Sequence, residues 1–252
     1  MDFSKKRVLI TGGSRGIGRA CSLAFAQRGA RVAVNFRHGR EAAQRTLEQL
    51  SGGPHALIQA DVADPEAVKD MVDQAVEELG GLDIVVNNAG ISLLHPIEDL
   101  DYEQWREAWN RTLSINLLGP ANVMYCVARF MKHNGGGRIV NVSSRGAFRG
   151  EPEQPAYGAS KAGLNALSQS LASRLAQDKI FIGVVAPGFV ETDMSSSKLE
   201  GATGDRIRQQ SPLGRVARPE EVAFAVLFLA ADGSEFTTGA ILDVNGASYL
   251  RT

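Results

Sequence analysis

Tyr157 and Lys161, four positions apart, are the side chains in this sequence best placed for proton-transfer chemistry. They lie in the helix-like segment Pro155-Ala156-Tyr157-Gly158-Ala159-Ser160-Lys161. On a helix that spacing stacks a phenol and an ammonium on one face. A phenol ordinarily titrates near about pH 10, too high for an acid–base group at neutral pH. Lowering that value by roughly two to three pH units requires about 3–4 kcal/mol of preference for the phenolate. One cation about 4 Å away, at an effective dielectric of about 20, supplies an amount of that order. The pair can therefore form a general acid–base residue with its activator. Tyr-x-x-x-Lys also occurs on solvated helix faces, so the rest of the chain must decide.

The bulk properties exclude several classes. The 252 residues suffice for one large domain with a substantial core. A net charge of -1 and the lack of a basic run point away from nucleic acid and from anionic membrane surfaces. The longest apolar run, Val222 to Ala231, is too short to span a bilayer. Cys21 and Cys126 have neither metal-like nor disulfide-framework spacing and read as buried thiols in a reducing compartment. The histidines (His38, His55, His95, His133) are scattered, so no metal site is expected. Strand-like sequence begins by Arg7, which leaves no room for a signal peptide. A soluble cytoplasmic protein is expected.

The elements that must position Tyr157 and Lys161 alternate along the chain. Short β-branched runs are expected as strands at Arg7–Thr11, Arg31–Phe36, Ala56–Ala60, Asp83–Asn87, Arg138–Ser143, Ile180–Ala186 and Ala240–Val244. Helical patterns fall at Ile17 to about Arg28, Arg40–Leu50, Pro65–Leu79, about Tyr102–Lys132, the segment carrying Tyr157 and Lys161, and Pro219–Ala230. Gly119-Pro120 should kink or break the long one. This order implies a single-domain α/β Rossmann fold spanning 1–252, with a seven-stranded parallel doubly wound sheet and helices on both faces. Consecutive apolar residues in the strands suit a sheet covered on both sides. The Ser-, Gly- and charge-rich segment Glu191–Leu213 is expected to be a mobile substrate lid.

The first strand runs into Thr11-Gly12-Gly13-Ser14-Arg15-Gly16-Ile17-Gly18 and then a helix. Glycines there let backbone N–H groups approach a pyrophosphate at a helix N-terminus. A purely structural turn is the competing reading; the position after the first strand of an α/β pattern favours a dinucleotide. The second strand ends Val34-Asn35-Phe36-Arg37, without the acidic residue an NAD site usually uses for the ribose. Arg37 and Arg15 are available for a 2′-phosphate instead, which favours NADPH over NAD(H). A solvated strand-end charge is the other reading of Arg37. Asp61-Val62, ending the third strand, suits an adenine contact, and Asp61 suits a turn or N-cap equally well.

Together these segments resemble the short-chain dehydrogenase/reductase family over nearly the whole chain. The resemblance rests on the Thr11–Gly18 turn, Asn87-Asn88-Ala89-Gly90, Asn116, Ser144, Tyr157 with Lys161, and Pro187-Gly188 with Thr192. It implies an NAD(P)-dependent oxidoreductase acting on CH–OH or C=O groups. Tyr157 would exchange a proton with the substrate oxygen, and Ser144 would polarise the same carbonyl. Lys161 would lower the tyrosine pKa and hold the nicotinamide ribose. Asn116 would hold a water linking Lys161 to bulk; as a mid-helix Asn it suits a local distortion. Asn88, Ala89 and Gly90, with Pro187 and Gly188, would line the cofactor site, and Thr192 would hold the carboxamide.

The C-terminal third, including Pro212-Leu213-Gly214-Arg215 and Thr238 through Gly246, is most similar to 3-oxoacyl-[acyl-carrier-protein] reductases. A 3-oxoacyl-thioester substrate is implied, with a sugar, polyol or other small cyclic alcohol as the alternative. Two features depart from that pattern. Gly135 and Asp178 stand where such reductases often carry arginines that dock the acidic carrier, with Lys132 and Arg174 as candidate substitutes. Ile91–Leu100 also lacks the basic motif often found there. Ser92, Leu94, Arg145, Phe148, Glu151, Gln154 and Phe189 are expected near the pocket. A homotetramer is implied by the family and suits the apolar residues on more than one face of the Tyr157 and Pro219–Ala230 helices.

Overall fold

The computed structural model describes residues 1–251. Seven parallel strands form one sheet in the order β3-β2-β1-β4-β5-β6-β7. They are β1 (Arg7–Ile10), β2 (Arg31–Phe36), β3 (Ala56–Gln59), β4 (Ile84–Asn87), β5 (Gly137–Val142), β6 (Ile180–Pro187) and β7 (Ile241–Val244). The order reverses between β1 and β4, where Val8, Leu9 and Ile10 lie opposite Ile84, Val85 and Val86. In such sheets the crevice beyond the carboxyl ends at this reversal receives ligands.

The strands explain why both faces need helices. Val8 and Ile10 point into one apolar cluster with Phe25 and Val226, from α1 (Gly16–Ala26) and α9 (Pro219–Ala230). Leu9, between them, points into the other cluster with Val68, Val127 and Leu164. Those residues belong to α3 (Pro65–Leu79), α5 (Gly119–His133) and α7 (Pro155–Leu175). The intervening α2 (Arg40–Glu48) follows β2, and α4 (Tyr102–Leu113) precedes α5. Local chemistry fixes several helix ends. Asp64 caps α3 by accepting from Glu66 and Ala67 N–H, with Pro65 next to it. Asp101 and Gln104 form a reciprocal capping box at α4.

Three segments differ from expectation. The long helix does not break at Gly119-Pro120: one π turn, Ser114–Leu118, joins α4 to α5. Pro120 lies in the first turn of α5, where its missing N–H costs no bond, and the wider turn before it takes up the irregularity. The expected lid contains a 3₁₀ turn, Ser196–Leu199, and α8 (Gly201–Gln209). Ile207 is the sole large apolar residue of α8, so its helical period was too faint to read. The short α6 (Gly146–Arg149) was likewise unannounced.

Gly119 lets α5 meet the chain after β3 at backbone distance: a Cβ there would stand 2.8 Å from the Val62 carbonyl oxygen. Gly119→Ala is therefore expected to lower stability by about 1–3 kcal/mol. A thermal melt with an unchanged midpoint would show that the helix can move aside.

Candidate active site

The glycine turn after β1 is fastened to both neighbouring strands. Gly12 N–H donates to Asn35 Oδ1 on β2 at 3.1 Å. Asn88, just after β4, donates from Nδ2 to the carbonyls of Thr11 and Gly12 at 3.0 and 3.1 Å. Thr11 Oγ1 accepts from the N–H groups of Asn88 and Ala89. Gly12 and Gly16 adopt φ of 60° and 50°, conformations that favour glycine. A Cβ on Gly18 would lie 2.2 Å from the Gly12 carbonyl oxygen. The turn thus presents bare backbone at the start of α1, the geometry that suits a dinucleotide pyrophosphate.

A cleft of about 460 Å³ opens beside it. Of the residues singled out in the sequence, Gly12, Ser14, Arg15, Gly16, Ile17, Asn88, Ala89 and Gly90 line it. So do Ser144, Tyr157, Lys161, Pro187, Gly188 and Thr192. Gly18 is buried within the turn, and Val62 packs against Gly119. Arg37 and Asp61 stand outside the lining and pair with each other at 3.2 Å, so Arg37 is not free. Asp61 also accepts from Ala63 N–H, the local turn anticipated for it. Arg15 is exposed and, among the described residues, makes no ion pair. Of the expected pocket residues, Leu94 is 61% exposed outside the cleft, and the Phe148 ring packs against the Arg251 guanidinium. The cleft gains Val142, Ser143, Val190, Asp193, Met194 and Lys198, which sequence reasoning did not select. Their signal was position alone, beside the strand ends and Thr192.

Three buried side chains fix the reactive groups. Lys161 Nζ donates to the Val142 carbonyl at 2.9 Å, at the end of β5. Burial lowers its pKa to about 8. Gly90 leaves it room: a Cβ there would be 3.5 Å from Nζ and 3.3 Å from Asn116 Oδ1. Asn116 lies in the π turn, fully buried. Its Oδ1 accepts from Ile91 N–H, and its Nδ2 donates to Ile91 O and Ser160 Oγ. Its amide is therefore spent on protein partners, and its side chain is not the water holder expected. Asn141 joins the sheet to α7, accepting from Asn87 Nδ2 and donating to Ser168 Oγ, both at 2.8 Å.

Tyr157 differs from expectation. Burial, opposed by a hydrogen bond with Ser144, holds its phenol above the ordinary value, and Glu151 adds to the rise. Lys161 Nζ stands 5.9 Å from the ring centroid, engaged with Val142, and does not offset the burial. The structure thus favours a protonated phenol. Ser144, the serine selected from the pair, faces Tyr157, whereas Ser143 Oγ donates to the Lys161 carbonyl at 3.4 Å. Arg145, buried beside them, donates to Ser248 Oγ and Gln210 Oε1 and lies over the Phe189 ring. Among the described residues no cluster of His, Cys, Asp or Glu is placed to hold a metal. None of their helices is long and apolar enough to cross a membrane.

This arrangement of glycine turn, Ser, Tyr and Lys on a doubly wound sheet defines a nicotinamide-dependent oxidoreductase. Residues 12–247 match the family described as Enoyl-(Acyl carrier protein) reductase. The chain is 36% identical over 247 residues to the 3-oxoacyl-[acyl-carrier-protein] reductase FabG of Staphylococcus aureus, covering 97% of this chain and 98% of that one. The same-named protein of Thermotoga maritima is 37% identical over 254 residues, covering 99% and 100%. A solved dehydrogenase/reductase from Sinorhizobium meliloti superposes with a TM-score of 0.91 at 32% identity, covering 99% and 97%. The chain belongs to the short-chain dehydrogenase/reductase family.

The Lys161 amine is expected to titrate near pH 8 in the protein alone, charged below that pH and neutral above it. Solvated lysines titrate near about 10.4. Isotope-edited NMR of the lysine side chains, with Lys161→Met to assign the resonance, measures this directly. A value above pH 10 would mean that the ammonium reaches solvent.

Proposed function

We propose that this chain is an NADPH-dependent carbonyl reductase acting on a 3-oxoacyl thioester. The observation that carries the reductase reading is the convergence of Ser144, Tyr157 and Lys161 in one cleft with the bare glycine turn. The names of its relatives support the thioester. The nicotinamide cofactor supplies the hydride to the carbonyl carbon. Ser144 hydrogen-bonds the carbonyl oxygen, and the protonated Tyr157 donates its proton there as the alcohol forms. Lys161 binds the ribose and relays a proton to the phenol. Asn88, Ala89, Gly90, Pro187 and Gly188 seat the cofactor, and Thr192, above Gly16, orients the carboxamide. Arg15 meets the 2′-phosphate, joined by Arg37 when that residue releases Asp61. Asp61 and Val62 border the adenine.

The alternative, an NAD(P)-dependent dehydrogenase of a sugar, polyol or small cyclic alcohol, is favoured by one observation. Lys132, a candidate to replace the carrier-docking arginines, pairs with Asp178 at 3.2 Å. That face therefore offers an acidic carrier less free positive charge.

The decisive assay is oxidation of NADPH or NADH with acetoacetyl-CoA, beside a panel of ketoses and cyclic ketones. Fast turnover with NADPH and acetoacetyl-CoA is expected, lost by several orders of magnitude in Tyr157→Phe. Arg15→Ala should raise KM for NADPH by about ten-fold or more while leaving NADH nearly unchanged. Turnover of a panel ketone without thioester activity would select the alternative.

We also propose a cytoplasmic homotetramer. Phe224 and Phe228, one turn apart on α9, are 62% and 44% exposed, apolar surface that a second copy would cover. Light scattering at micromolar concentration should give four chains; a monomer would refute it.

A further inference from the structure

The helix that carries Tyr157 starts without a cap from its own N-cap residue, since the Gln154 side chain makes no capping bond. The first N–H groups of a helix have no intrahelical partner and need acceptors from elsewhere. Pro155 has no N–H to satisfy. The N–H groups of Tyr157 and Gly158 reach the Gln154 carbonyl at 2.9 and 3.4 Å. The remaining donor, Ala156 N–H, finds its acceptor 61 residues away in the chain: Nε2 of His95, at 3.0 Å.

His95 is built for that task. It lies between β4 and α4, its side chain is fully buried, and its ring stands edge-on to Trp105 at 5.5 Å. Its own N–H donates to the Glu153 carbonyl at 2.8 Å. Because Nε2 accepts from Ala156, it carries no proton. The proton is therefore on Nδ1, which donates to the Leu93 carbonyl at 2.8 Å. An imidazolium would turn a donor against an N–H and place positive charge at the positive end of a helix. The same loop grips the helix start a second time, because Ser92 Oγ bonds Gln154 Oε1 and both residues line the cleft.

We propose that His95 is a positioning residue for proton transfer, an inference that rests on the reading of Tyr157 as proton donor. It holds the backbone one residue before Tyr157. On the far side of the same turn, Ser160 Oγ donates to the Tyr157 carbonyl at 2.7 Å and in turn accepts from Asn116. The turn bearing the phenol is thus held from two directions, by His95 at its start and by Asn116 through Ser160. His95 touches no reacting group; it sets where the phenol stands relative to Ser144.

The test compares wild type, His95→Gln and His95→Leu with NADPH and acetoacetyl-CoA. Gln retains an acceptor for Ala156 and a donor for Leu93, and its kcat is expected within about three-fold of wild type. Leu fills the space without an acceptor, and its kcat is expected to fall about 10- to 100-fold, as small misplacements of catalytic groups do. KM for NADPH should stay within about two-fold in both, since a positioning loss leaves cofactor binding in place. Undiminished kcat in H95L, or equal loss in H95Q and H95L, overturns the proposal. A measurement on the wild type guards against a variant that fails to fold. Long-range ¹H–¹⁵N correlation of the histidine rings should show His95 as the Nδ1–H tautomer, and an Nε2–H tautomer overturns the proposal. A wild type inactive on acetoacetyl-CoA and on every panel ketone defeats the reductase reading instead, and the tautomer then decides the His95 bond alone.

Discussion

A buried ammonium governs the layout of this molecule. Lys161 is enclosed, and an enclosed charge must find acceptors or give up its proton. Its acceptor is the carbonyl that ends β5, so α7 must cross the sheet where its first turns overhang that edge. The parallel sheet brings the carboxyl ends of β1, β4, β5 and β6 to the same edge. Asn88–Gly90, Ser144 and Pro187-Gly188 therefore meet the lysine without any long excursion of the chain. The line of amide and hydroxyl from Asn87 through Asn141 to Ser168 ties α7 to β4 and β5 within the interior. Such a buried network is unforgiving of displacement, because each lost partner leaves a desolvated polar atom.

The same burial sets the proton balance. It raises the Tyr157 pKa and lowers that of Lys161, so each group leans toward its neutral form. A neutral phenol is a proton donor, the form that carbonyl reduction consumes. The hydrogen bond with Ser144 works against the rise. The two groups that meet the substrate oxygen in the proposed reaction are thus coupled before any substrate arrives.

Much of this was legible in the residues, for identifiable reasons. β-branched runs at strand length, with Val, Ile and Leu on consecutive positions, announced a sheet buried on both faces, and Pro65 and Pro219 marked helix starts. The glycine turn was legible because only bare backbone permits its contacts with Asn88 and Ala89. What escaped depends on partners distant in sequence. Arg37 and Asp61 end different strands, and only the pairing of β2 with β3 brings them together. His95 looked like one of four scattered histidines, because its partner is a backbone N–H, which has no signature in sequence. The direction of the Tyr157 shift was misread because spacing gives the distance to a cation but not the desolvation that outweighs it. Helix α8, with one large apolar side chain, offered no period to detect.

The π turn at Ser114–Leu118 has a consequence for how this segment can change in length. Such a turn is equivalent to one residue inserted into an otherwise α-helical run. Deleting a residue there would let the helix close into regular form and rotate everything after it by about 100° about the axis. Val123, Met124, Val127 and Met131, all fully buried, would swing off the sheet. Asn116 would in the same event lose its reach to Ile91 and Ser160. Core packing and the support of the catalytic turn are therefore tied to a single count of residues, so an insertion or deletion here could not spare one and alter the other.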